Sequence, residues 1–129
     1  MVVLLQAAAL PVRCIEEHLE HFLVLRAGAV VRGCGGLEIY ADSCLLRSLV
    51  VELGYRSAGW GRVLARQLLA RARSLRMREV IALSSTAVPF LRSLGFVEIE
   101  REYISAAVRG SWQFAEDGCN CATSLRLAL

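Results

Sequence analysis

The chain has 129 residues, 56% of them hydrophobic and 21% charged, with a formal net charge of +3. This excludes a disordered or collagen-like polymer, and the length implies one domain able to bury about two-thirds of its unfolded surface. All 15 basic residues are Arg, and the absence of Lys reads as genomic base composition with no mechanism attached.

Met1–Leu10 is apolar and reads as a short helix ended by Pro11. It has no basic segment ahead of it and is too short to span a bilayer, so a cytoplasmic location is the default. Cys14, Cys34, Cys44, Cys119 and Cys121 are an odd number, which suits a reducing compartment. Cys119-Asn120-Cys121 lacks the C-x-x-C spacing of zinc knuckles and has no partner pair, so no metal is expected. A helix is expected over Val12–His21, where Ile15, Leu19 and Phe22 recur at helical spacing and Glu16, Glu17 and Glu20 face outward. His18 and His21 stand three residues apart on it, as structural histidines or as a metal or base pair.

Phe22–Arg26 and Ala29–Arg32 read as strands joined at Ala27-Gly28, the second continuing to Tyr40. Gly33, Gly35 and Gly36 weaken such a strand, so a ligand or a neighbouring element should pass close to it. Ala41–Cys44 turns the chain into a central strand, Leu45–Val51. With Asp42-Ser43 as a two-residue loop, Glu38 faces Arg47 across the hairpin, their Cβ atoms about 5 Å apart. An acid and an Arg in mid-strand are costly to bury unless paired or used, and both a structural pair and a site fit the pattern.

Between that strand and a helix-patterned segment from Arg62 to Leu75 lies Arg56-Ser57-Ala58-Gly59-Trp60-Gly61. A glycine-bearing loop that ends in a helix leaves the first turn's N–H groups and the positive end of the helix dipole facing the loop, which suits a phosphate. The same residues also fit a plain tight turn. Two familiar nucleotide loops are ruled out: Leu64 stands where G-x-G-x-x-G needs its third glycine, and a Walker loop needs a Lys.

The helix carries Leu64, Leu68, Ala72 and Leu75 on one stripe. Arg56, Arg62, Arg66, Arg71, Arg73, Arg76 and Arg78 fall in a window without an acid. With no aromatic residue there but Trp60, this reads as a solvated face and not as a nucleic-acid surface, with Arg62 within reach of a phosphate. Glu79–Leu83 follows as a strand, Ser84-Ser85-Thr86 can cap a short helix Ala87–Leu94, Gly95 ends it, and Phe96–Glu100 and Thr123–Leu129 read as further strands.

Two segments together resemble the GNAT (GCN5-related) N-acetyltransferases. Leu49-Val50-Val51 with Arg56-x-x-Gly59-x-Gly61 looks like their acetyl-CoA signature, and Ala87-Val88-Pro89-Phe90-Leu91-Arg92-Ser93-Leu94-Gly95-Phe96 is similar to their A-x-x-F-Y-x-x-x-G-F segment. Ser57 replaces a usual glycine, Ser84 stands where Asn is common, and Leu91 replaces the Tyr that often serves as general acid. The resemblance implies an α/β fold, α+β in three layers, whose mixed central sheet splays between two parallel strands, here Leu45–Val51 and Glu79–Ser84, with helices on both faces.

The implied activity is acetyl transfer from acetyl-CoA, a cosubstrate, directly to the amine of a small molecule, with no metal. Coenzyme contacts fall on Leu49, Val50, Val51, Arg56, Ser57, Ala58, Gly59, Trp60, Gly61, Arg62, Ser84 and Phe90, with the oxyanion near the Val50 N–H. Glu38 is the first candidate base and Glu52 the second; either Ser85, Thr86 or Tyr103 fills the acid role that Leu91 leaves open, or the thiolate leaves unaided. Arg47 suits a substrate carboxylate, and Arg109 is a second anion contact. Gly36-Leu37-Glu38, Leu46-Arg47-Ser48-Leu49 and Ala106-Ala107-Val108-Arg109-x-Ser111-x-x-Phe114 are similar to small bacterial members encoded in arsenic-resistance operons and to short-form glutamate N-acetyltransferases. A non-catalytic acyl-CoA-binding module and a protein N-terminal or lysine acetyltransferase are the rival readings. No nucleic-acid or membrane partner is implied, and a homodimer is compatible with the pattern.

Overall fold

The computed structural model describes residues 16–55, 58–109 and 122–129. The expected helix over Met1–Leu10, the Cys14, Cys119 and Cys121 thiols, Arg56 and Ser57 lie outside the described residues. Glu16–His21 is a short 3-10 helix, the described part of the expected Val12–His21 helix. Six strands follow: β1 (Phe22–Ala27), β2 (Val30–Tyr40), β3 (Ser43–Val51), β4 (Glu79–Ser84), β5 (Val97–Glu98) and β6 (Thr123–Ala128). Three α-helices are described: α1 (Trp60–Ser74), α2 (Val88–Ser93) and α3 (Ala106–Arg109). The strands form one mixed sheet in the order β1-β2-β3-β4-β6-β5. By packing, the chain falls into two compact units, one holding Leu46–Arg71 and the chain up to Glu38, the other holding Ile39–Leu45 and Ala72–Leu129.

In the first unit, β1 and β2 pair antiparallel through a turn in which Gly28 has φ +64°. The glycines of β2 are explained by close neighbours. A Cβ built on Gly35 would lie 2.9 Å from the tips of both Leu49 and Leu68, and one on Gly36 would lie 2.4 Å from the Phe22 ring. The element passing close is therefore α1 on one side and the β1 aromatic on the other. Cys34, Leu37, Leu46, Val50, Leu64, Ala65, Leu68 and Leu69 are buried. The apolar stripe of α1 goes inward as its spacing predicts, but Leu75 lies one residue past the helix end and is exposed.

In the second unit, the turn between β2 and β3 is Ala41–Asp42 and not Asp42-Ser43. Ala41 supplies the positive φ, +57°, so Ser43 already belongs to the strand and is buried. Strand β4 pairs with β6 along its whole length, from Glu79↔Ala128 to Ser84↔Thr123, and β6 also pairs with β5. Leu45, Ile81, Ile104 and Val108 form a buried cluster against which Tyr40, Leu83 and Ile99 pack. The expected Phe96–Glu100 strand shrinks to Val97–Glu98: the Ile99 N–H still reaches the Ser124 carbonyl at 2.9 Å, but Arg101–Tyr103 turns into a 3-10 helix.

Candidate active site

Strand β3 carries a departure from extended geometry in its middle. Ser48 has φ +60°, which a non-glycine residue rarely adopts, and there the strand is re-aimed. The Ser48 carbonyl accepts the Cys34 Sγ–H at 3.5 Å, and its Oγ accepts the Arg47 Nε–H at 3.0 Å. Beyond it come Leu49, half-buried, and the buried Val50 and Val51. The Val50 carbonyl approaches Gly33 so closely that a Cβ there would stand 3.1 Å away.

The chain then leaves β3 through a 3-10 turn, Leu53–Tyr55, and enters α1 at Ala58-Gly59. Gly59 has φ +86°, and its carbonyl accepts the Val63 N–H at 3.1 Å, the first i→i+4 bond of the helix. By helix geometry the first N–H groups of α1, those of Trp60 and Gly61, precede this bond and face the loop. No acid stands in that first turn, so the positive end of the dipole is not neutralised from within the helix. Trp60 is exposed and Arg62 half-buried.

Glu38 and Arg47 meet, although not as the directly opposed pair that an Asp42-Ser43 loop implies: with the turn at Ala41–Asp42 the two stand diagonally across the hairpin. Arg47 NH1 donates to Glu38 Oε2 at 2.7 Å, with the two side chains 0% and 2% exposed. A carboxylate this deep needs a cation and hydrogen bonds to be tolerated, and a guanidinium supplies both. A second pair lies further along the same strands, where Arg32 NH1 donates to Glu52 Oε2 at 2.5 Å, with 28% and 40% exposure. Glu52 holds the Arg32 guanidinium firmly protonated, the hydrogen bond outweighing desolvation.

A family model described as an acetyltransferase (GNAT) domain matches residues 18–98, more than half of the chain. The chain belongs to the GNAT family. It is 22% identical over 102 residues to the amino-acid acetyltransferase of Vibrio vulnificus, a match that covers 78% of this chain and 23% of that protein. The chain thus spans about a quarter of the length of the curated relatives it matches. Its fold is similar to that of N-acetylglutamate synthase from Neisseria gonorrhoeae, solved with coenzyme A and N-acetyl-glutamate: TM-score 0.83, 21% identity, 97% of this chain and 30% of that one. A Mycobacterium tuberculosis protein solved with CoA and a second ligand gives a TM-score of 0.84 at 21% identity, covering 98% of this chain and 90% of that one. The expected mixed sheet and GNAT fold are thereby shown.

The remaining residues that the GNAT resemblance singled out lie in the second unit. Ser84 Oγ accepts the N–H groups of Ala87 at 2.9 Å and Thr86 at 3.3 Å, which shapes the turn before α2, but contrary to expectation no side chain of Ser84, Ser85 or Thr86 caps the helix, whose N-cap residue is Ala87. Ser85 and Thr86 are exposed, and Phe90 is half-buried. Leu91, in the position where the family often has Tyr, is buried and apolar. Tyr103 is exposed, as is Arg109 at the end of α3. Among the described residues no group of acids, histidines or cysteines is placed to hold a metal ion. His21 Nδ1 accepts the Arg71 Nε–H at 3.2 Å, a structural role; the His18 side chain lies outside the described residues. No helix among the described residues is long and apolar enough to cross a membrane.

Two polar features escaped sequence reading. One is the Arg32–Glu52 pair, passed over although the hairpin that brings Glu38 to Arg47 also brings Arg32 to the end of β3. The other is Glu79, which accepts from Ser43 Oγ at 2.6 Å and from Arg126 Nε at 2.5 Å. Burial acts to raise its pKa, but those hydrogen bonds and the charges of Arg126 and Arg78 together hold the carboxyl below the usual glutamate range. The register Glu79↔Ala128 and the opposed Ile81↔Arg126 are the signals that would have found it, and both need the strand order first. Burial also pushes the Cys34 thiol up to about 11 and the Cys44 thiol up to about 12, which makes both inert at neutral pH.

Proposed function

We propose that this chain is an N-acetyltransferase that moves the acetyl group of acetyl-CoA directly to the amine of a small molecule of the amino-acid class. The observation that carries the reading is the start of α1: an acid-free first turn behind a glycine with φ +86°, following a strand re-aimed at Ser48. The pyrophosphate is taken by the N–H groups of Ala58–Arg62 with help from Arg56 and Ser57, and the pantetheine arm runs along Leu49–Val51. Ser84 and Phe90 complete the coenzyme contacts. The amine nitrogen attacks the thioester carbonyl, the tetrahedral oxygen is met by the Val50 N–H, and the C–S bond breaks to release the thiolate, a good leaving group.

Glu38 takes the ammonium proton, directly or through water, with Glu52 the second candidate; Ser85, Thr86 or Tyr103 returns a proton to the leaving sulfur. Arg47 anchors the substrate's carboxylate, which competes with Glu38 for the guanidinium and so frees the acid for its task, and Arg109 adds a second anion contact. Support for an amino-acid acceptor comes from the similar proteins named above, an amino-acid acetyltransferase and an N-acetylglutamate synthase. The likeness to members from arsenic-resistance operons extends the candidates to phosphinic and arsenical analogues of amino acids. A cytoplasmic enzyme, alone or as a homodimer, fits this chemistry. The buried Leu91 favours one second reading, a domain that binds acyl-CoA without turning it over.

Calorimetric titration with acetyl-CoA, followed by turnover with a panel of amino acids and their phosphinic and arsenical analogues, tests both. Micromolar binding lost in Gly59→Trp, with turnover of a carboxylate-bearing amine, is expected. Binding without turnover leaves the second reading, and no binding by the wild-type chain overturns both.

A further inference from the structure

Arg32 is the inserted residue of a β-bulge. Across the β1–β2 pair Leu25 faces Gly33 and Arg26 faces Val31, so the register slips by one at Arg32. A bulge re-aims the side chain at the slip, and this one sends a cation toward the end of β3. There Arg32 NH1 meets the Glu52 carboxylate at 2.5 Å, and its guanidinium carbon stands 4.9 Å from the centre of the Tyr55 ring, a stacking distance. The main chain joins in: the Arg32 carbonyl accepts the Glu52 N–H at 2.7 Å, and the Glu52 carbonyl accepts the Tyr55 N–H at 2.8 Å. Every one of these contacts lands on Glu52–Tyr55, the segment that delivers the chain into the loop before α1. Arg32 Nε is buried without a hydrogen-bond partner, a cost accepted at one end of a guanidinium whose other end is tightly held.

Resting on the reading of the start of α1 as the coenzyme cradle, we propose that Arg32 is a positioning residue: it clamps Glu52 and Tyr55 and so fixes the end of β3 from which the chain runs to the Ala58–Arg62 segment that receives the coenzyme phosphates. Glu52 then serves as the clamp's anion and not as the base. A guanidinium is suited to this because one planar group forks onto a carboxylate and stacks on a ring at once, which an ammonium cannot do.

The test is acetyl-CoA titration of the full-length chain and of Arg32→Met, Glu52→Gln and the double variant, with thermal melts beside them and turnover of the best acceptor from the panel. Each single change is expected to weaken Kd and raise KM about tenfold, with kcat within about twofold in Arg32→Met, and the double variant to be no worse than either single one, because the two groups act as one unit. Arg32→Lys should recover only part of the loss. Wild-type Kd in Arg32→Met, losses that add in the double variant, or a Glu52→Gln chain that loses kcat with Kd intact would each overturn the clamp. Should Arg32→Met fail to fold, Tyr55→Leu replaces it: a Kd about threefold weaker supports the clamp, and an unchanged Kd refutes it. Failure of the wild-type chain to bind acetyl-CoA refutes the cradle itself, and the clamp with it.

Discussion

The hairpin of β2 and β3 holds two Glu–Arg pairs of the same chemistry in opposite surroundings. Glu38–Arg47 is sealed from solvent, whereas Arg32–Glu52 is wet on both sides. Desolvation makes the first pair an all-or-nothing arrangement, in which either partner alone is a buried charge. The second loses little to solvent and gains little from Coulomb attraction, so its value lies in geometry, in where it holds the main chain. Identical residue types thus serve energetics in one place and shape in the other.

The largest effect that would sharpen this contrast is on stability. Arg47→Met should cost about 3–5 kcal/mol in a denaturant titration, and adding Glu38→Leu should restore most of it, because an apolar pair of similar volume needs no compensation. A double variant as unstable as the single one would break the argument. Glu79 is the intermediate case, a buried acid bonded to the half-exposed Arg126. Its pKa is depressed in the folded chain, so its contribution is present above the unfolded glutamate value of about 4.3 and disappears as pH falls through the lower folded value. Glu79→Gln should therefore be less stable than wild type by about 1–2 kcal/mol at neutral pH, with the gap closing in acid. A gap that persists at the acid end would show that shape, not charge, is what matters at that position. The smallest effect concerns salt: the melting difference between wild type and Arg32→Met should shrink as ionic strength rises, and that between wild type and Arg47→Met should not.

Much of this was legible beforehand for a physical reason. The strand–loop–helix around Gly59 and the spacing of Leu64, Leu68 and Ala72 are local patterns, so the start of α1 and its buried stripe were visible in the order of residues. The Glu38–Arg47 pair was legible because a hairpin brings the two mid-strand charges together; the turn fell one residue earlier, where Ala41 accepted the positive φ, and the long Arg side chain closes the diagonal that results. The bulge at Arg32 was not legible, because it is an irregularity between strands and leaves no mark on either one. Glu79 was hidden for a related reason: its partners Ser43 and Arg126 come from strands 36 and 47 residues away along the chain. The length of β5 was overestimated because Phe96–Glu100 alternates well enough for a strand, but the ladder to β6 runs over Val97 and Glu98 before the chain turns into the 3-10 helix at Arg101.

The placement of β6 between β4 and β5 sets an order of events during synthesis. When β4 and β5 have left the ribosome, neither has its neighbour on that side, because residues 123–128 are still to be made. Until they arrive, the edge of β4 is an open row of amides and carbonyls beside the apolar Val80, Ile81 and Ala82, the feature that invites pairing with other chains. Strand β6, made after both of its neighbours, is thus the one that covers this edge, and a ribosome that stalls before Thr123 releases a chain with an adhesive edge.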